Sequence, residues 1–101
     1  MDFDELDGFT EEKALMILRA RELKKQINEL RGRIAEENQN ILDDEEWVMT
    51  PGLPQISQNE IYKDIANYKI NVVFYGRQLQ QLQEQLKEIE TLLGDNNARS
   101  K

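Results

Sequence analysis

Chemistry in this chain has to come from carboxylates, cations and a few aromatic rings, because it contains no cysteine and no histidine. That removes disulfides, thiolate nucleophiles, the commonest general base and the commonest transition-metal ligand. The densest remaining group is the acidic run Asp43, Asp44, Glu45 and Glu46. A calcium loop needs spaced ligands around a central glycine, and this run has neither. Glu36 and Glu37 fall in a stretch that reads as a helix facing water, where no cleft shifts a carboxyl toward general-acid work. No glycine-rich phosphate loop, zinc spacing or nucleophile elbow occurs. The chain is therefore expected to be no enzyme and to hold no metal or cofactor.

The cations are segregated. Residues 13–33 carry Lys13, Arg19, Arg21, Lys24, Lys25, Arg31 and Arg33 against Glu22 and Glu29, an excess of positive charge in a chain whose formal net charge is −7. Arg19, Arg21, Lys24, Lys25, Arg31 and Arg33 thus form a candidate basic face. Its destinations are solvent, the acidic segments of the same or a neighbouring subunit, or nucleic acid, from which the remaining acids would repel phosphate. Two apolar groups stand out as candidate partner sites. One is Trp47, Met49, Leu53 and Ile56, in a stretch containing Pro51, Gly52 and Pro54. A Trp beside a Met in a long connection is a common interface anchor. The other is Phe3, Leu6 and Phe9, interleaved with Asp2, Asp4, Glu5 and Asp7 in residues 1–9, the pattern of a flexible acidic arm that folds on a partner or stays frayed.

Two long helices have to position these groups. From Ile61 onward, Ile65, Tyr68, Val72, Tyr75, Leu79, Leu82, Leu86, Ile89 and Leu93 recur at spacings of four and three, a heptad seam. Residues 57–94 therefore read as a helix, opened by a Ser57–Glu60 capping box with an Ile56–Ile61 staple and closed by Gly94. Residues 10–42 read as its partner, with Thr10 as N-cap and Met16, Ala20, Leu23, Ile27, Leu30, Ile34 and Ile41 as its seam, interrupted by Glu37. Residues 43–56 form the connection and 95–101 a polar tail. The expected fold is all-α, an antiparallel coiled-coil hairpin that pairs Leu30 with the neighbourhood of Ile70 and Met16 with that of Leu82 and Leu86. The alternative is that each helix pairs with a copy from another chain.

A hairpin needs one apolar stripe per helix, and both helices have more. Ile70, Val73 and Phe74 fall at positions f, b and c of the heptad, and with Tyr68 they make the middle of the second helix apolar nearly all round. Leu15 and Leu18 sit at c and f of the first. Such surplus points to a homo-oligomer, since each fully buried side chain contributes roughly 1.5–3 kcal/mol. Gly76 beside this cluster reads as room for another helix or as a tolerated local weakness.

With 101 residues, of which 33 % are charged, the core is a seam and association is the expected source of further stability. Residues 1–9 have no basic or apolar leader region and no apolar run is long enough to span a bilayer, so a cytoplasmic location without membrane contact is expected. An apolar connection between paired helices is similar to the coiled-coil arms of prefoldin-type chaperones in periodicity, without the strand pair between the helices. The expected function is a self-associating coiled-coil protein that binds other macromolecules as an adaptor, assembly factor or small inhibitor. The alternatives are a nucleic-acid-associated oligomer using the basic face, and a chaperone-like hairpin holding clients at its tip.

Overall fold

A computed structural model describes residues 11–99, with side chains to residue 94. Thr10, the arm residues Phe3, Leu6 and Phe9, and the end of the polar tail lie outside the described residues. The chain forms two helices, α1 (Glu11–Val48) and α2 (Gln55–Arg99), and no strand among the described residues. They pack against each other as an antiparallel hairpin. Every seam residue named above is buried or half-buried on both helices. The 3.5-residue repeat therefore does what it is expected to do, which is to keep one stripe of each helix against its partner.

The helix limits differ from the sequence reading. α1 does not stop at Leu42 but runs through all four acids to Val48. Asp44 and Val48 continue its seam at d and a, and both are half-buried. Packing of Val48 on the Ile41 cluster outweighs the unfavourable placement of acids at the negative end of the helix dipole. The connection is correspondingly short. The Met49 and Thr50 amides donate to the carbonyls of Glu46 and Trp47, tightening the last turn of α1. Thr50 to Leu53 then close a turn in which the Leu53 amide donates to the Thr50 carbonyl (3.4 Å). Pro51 and Gly52 occupy its centre, and Gly52 has φ +81°, the conformation a type II turn demands at that position.

α2 starts at Gln55 rather than Ser57. The Gln58 amide donates to the Pro54 carbonyl (3.0 Å), and Gln58 Nε2 donates to the Leu53 carbonyl (2.9 Å). Proline's fixed φ opens the helix, so Ser57 and Glu60 lie inside it and not at its cap. At the other end α2 continues through Gly94 to Arg99. Gly94 is an exposed helical residue here and not the closing position.

The chain divides into two compact units, Glu29–Leu79 and Met1–Asn28 with Gln80–Lys101. In the first, Ile41, Ile61 and Ile65 form a buried cluster against which Val48, Leu53, Tyr68 and Val72 pack. Asn71 Nδ2 donates to Glu37 Oε2 (3.2 Å), Lys69 pairs with Glu45 (4.0 Å), and the Arg33 guanidinium stands 5.9 Å from the centre of the Tyr75 ring. That register sets Leu30 opposite Leu79, not Ile70. In the second unit Ala20, Leu23 and Ile27 are buried, Leu23 completely. Arg19 Nη2 donates to Gln85 Oε1 (3.3 Å) and Lys24 pairs with Glu90 (4.0 Å). The shift at Leu30 follows from the longer α1, since lengthening it through the acidic run moves the point of reversal toward α2.

Candidate functional surface

The described residues outside the seam carry the features that could meet a partner. Ile70, Val73 and Phe74 are exposed, and with Lys69 and Arg77 they line an open groove of about 370 Å³ on the outer side of α2. The spacing of these five residues puts them on consecutive turns of one helix face, three apolar groups bracketed by two cations. Phe74 stands beside Tyr75, with ring centres 6.2 Å apart and planes tilted by 59°. Tyr68, expected beside them, belongs to the seam. It is half-buried and packs on the Ile41 cluster.

At the tip, Trp47 is 59 % exposed, Met49 78 % and Ile56 73 %. Leu53, the fourth residue of that expected set, turns inward onto the core. Leu15 and Leu18 are exposed as expected, but they lie in the unit of Met1–Asn28 and Ile70, Val73 and Phe74 lie in the other. Leu42 and Tyr62 in Glu29–Leu79, and Leu92 in the other unit, are exposed apolar residues that the sequence reading did not single out. Leu42 and Tyr62 follow the seam residues Ile41 and Ile61 directly. Adjacent helical residues point about 100° apart, so each doublet places one residue in and one out.

The six expected basic residues are all exposed, but they do not make one face. Arg19 and Arg33 flank the seam at g positions and use α2 partners, Gln85 and the Tyr75 ring. Lys24 flanks it on the other side and meets Glu90. Arg21 and Lys25 take the outer positions b and f. Arg31 occupies an e position in Glu29–Leu79, the unit that holds the connection between the helices and is called the tip unit below.

Partial burial pushes the Tyr68 hydroxyl above its ordinary value, and the carboxylates of Asp44, Asp64 and Glu37 push it further the same way. Glu37 and Asp44 are the two acids that interrupt the α1 seam, so the strip facing Tyr68 is half polar. No group of three or more acidic side chains among the described residues is arranged to hold a metal ion. No described helix is long and apolar enough to cross a membrane.

Comparison with known proteins found no matching family model, no similar curated protein and no similar solved structure.

Proposed function

We propose that this chain is a non-enzymatic helical hairpin of the cytoplasm that self-associates and binds other macromolecules as an adaptor, assembly factor or small inhibitor. The observation that carries this reading is the exposed apolar face outside a seam already filled by the chain itself. Ile70, Val73 and Phe74 have no structural task within the hairpin, yet they sit together in one open groove. Exposed apolar clusters of this kind on a small chain mark interaction sites. Burial of three such side chains in an interface would contribute roughly 1.5–3 kcal/mol each before the cost of association.

Absolute mass by light scattering, measured across a dilution series, tests the reading. The unmodified chain is expected above its monomer mass of 11.9 kDa. Phe74→Asp puts a charge in the centre of the groove and should lower the mass to that of a single chain while leaving helix content unchanged. A Phe74→Asp variant with undiminished mass would remove this face from the self-interface. A monomer at every concentration would withdraw self-association and leave the groove as a site for a different protein.

A further inference from the structure

The α2 groove is cationic as well as apolar, and that narrows what can cover it. From Ile65 to Gln83, α2 carries Lys69 and Arg77 and no acid, in a chain whose formal net charge is −7. Both cations line the groove, one toward each end of Ile70, Val73 and Phe74. Arg77 forms no ion pair among the described residues. Lys69 reaches Glu45 at 4.0 Å, but both side chains stay at least half exposed, and a solvated pair this loose holds its partners weakly. Glu37 accepts from Asn71 at the other edge of the helix (3.2 Å).

Those cations decide against the simplest pairing. A two-fold axis at Val73 would lay groove on groove and bring Lys69 of each copy against Arg77 of the other. Like charges facing each other suppress such a contact. A fitting occupant brings acids and large apolar groups together, without a base. Residues 1–9 do so: Phe3, Leu6 and Phe9 are interleaved with Asp2, Asp4, Glu5 and Asp7, and no Lys or Arg is among them. Residues 41–49 have a similar composition but are engaged within the hairpin. Ile41 is buried there, Val48 packs on its cluster and Glu45 reaches Lys69.

The arm of the same molecule is too short for this groove. Arg33, whose guanidinium stands 5.9 Å from the centre of the Tyr75 ring, comes about six turns after Glu11 in α1, roughly 33 Å of helix. Fully extended, the chain from Phe3 to Glu11 spans at most about 29 Å, and from Leu6 only about 18 Å. We propose that the groove takes residues 1–9 of a second copy of this chain. Phe3, Leu6 and Phe9 would cover Ile70, Val73 and Phe74, and the arm's acids would lie beside Lys69 and Arg77. Opposed charges set the orientation while the apolar side chains exclude water. The contact rests on the self-association proposed above and names the segment that fills its groove.

Charge exchange in the whole chain, followed by mixing, tests the contact. Lys69→Glu with Arg77→Glu makes the groove acidic, and Asp4→Lys with Glu5→Lys and Asp7→Lys makes the arm basic. Each variant alone sets like charges together and is expected to associate at least tenfold more weakly, with helix content by circular dichroism unchanged. An equimolar mixture should regain the mass of the unmodified protein, because the basic arm of one variant meets the acidic groove of the other. Replacing Phe3, Leu6 and Phe9 together by Ser leaves every charge in place and should also lower the mass. Any of the three variants keeping full mass on its own, or a mixture of the two folded charge variants that stays dissociated, overturns the proposal. If Phe74→Asp then still lowers the mass, the groove remains a self-interface filled by another segment, such as residues 41–49. A monomer at every concentration rejects this contact and the self-association together.

Discussion

Tyr68 shows how much a single residue in a thin seam is asked to reconcile. Its ring packs on the Ile41 cluster, while its hydroxyl lies in the field of Asp44, Asp64 and Glu37. Burial and three carboxylates all disfavour the phenolate, so the folded chain holds the proton more tightly than the unfolded chain does. A group whose folded value is raised contributes stability below its unfolded value, and that contribution is lost as pH climbs. The unfolded value is near 10.0, so the loss should begin there. Denaturant midpoints measured at neutral pH and above pH 10.0 are therefore expected to fall more in the unmodified protein than in Tyr68→Phe. Tyrosinate absorbance should agree, with the signal lost in the variant appearing above pH 10.0 in the unmodified protein. Equal alkaline loss in both proteins would mean that the hydroxyl does not feel those acids. Two of the acids that create this field, Glu37 and Asp44, also show where reading by residue type stops short. Glu37 was visible as an interruption of the seam, but Asp44 was hidden inside a run of four acids whose composition suggested a loop.

At the scale of the helices, two glycines offer a direct test of how much room the hairpin leaves. Gly32 and Gly76 both lie inside helices, neither has positive φ, and a methyl group added at either would meet nothing within 4 Å. Alanine at each position is expected to raise the unfolding free energy by roughly 0.5–1 kcal/mol, read as a higher denaturant midpoint. A fall in stability on Gly76→Ala would show that something from outside the chain fills that space. Much of the helix layout was legible beforehand. The run from Ile61 to Leu93 has no missing seam position, and the structure buries or half-buries each one. The helix limits were less legible because local and tertiary preferences disagree there. Four acids and a capping-box motif argued for a loop from 43 to 56, whereas Asp44 and Val48 continue the heptad and Pro54 opens α2. The heptad prevails because Val48 and Leu53 pack on the Ile41 cluster, whereas a misplaced carboxylate costs only about 0.3–1 kcal/mol against the dipole. The candidate surface was legible where apolar residues stood outside the repeat, as at Ile70 and Phe74. It was not legible at Leu42 and Tyr62, which a doublet conceals, nor at Leu53, whose inward turn depends on the geometry of the connection.

For the whole chain, the core is small relative to what it must hold. Ala20, Leu23 and Ile27 are buried in one unit and Ile41, Ile61 and Ile65 in the other, and among the described residues Leu23 alone is fully enclosed. Against these stand Leu42, Trp47, Met49, Ile56, Tyr62, Ile70, Val73 and Phe74, all exposed on the tip unit. With more large apolar side chains exposed than fully buried among the described residues, the chain should gain stability from whatever covers them. If that partner is another copy, stability is linked to concentration by mass action. Raising the chain to about 100 times its dissociation constant would add about 2.7 kcal/mol, equivalent to roughly 10–20 °C in melting temperature for a domain of this size. Thermal unfolding followed over at least two decades of concentration should therefore show a rising midpoint. Phe74→Asp, if it breaks the interface, should melt at the lower limit of that range and at one temperature throughout. A midpoint for the unmodified chain that ignores concentration would mean the hairpin stands on its seam alone. The exposed side chains would then be kept for a partner of different sequence, since nothing in the folding of this chain requires them to be apolar.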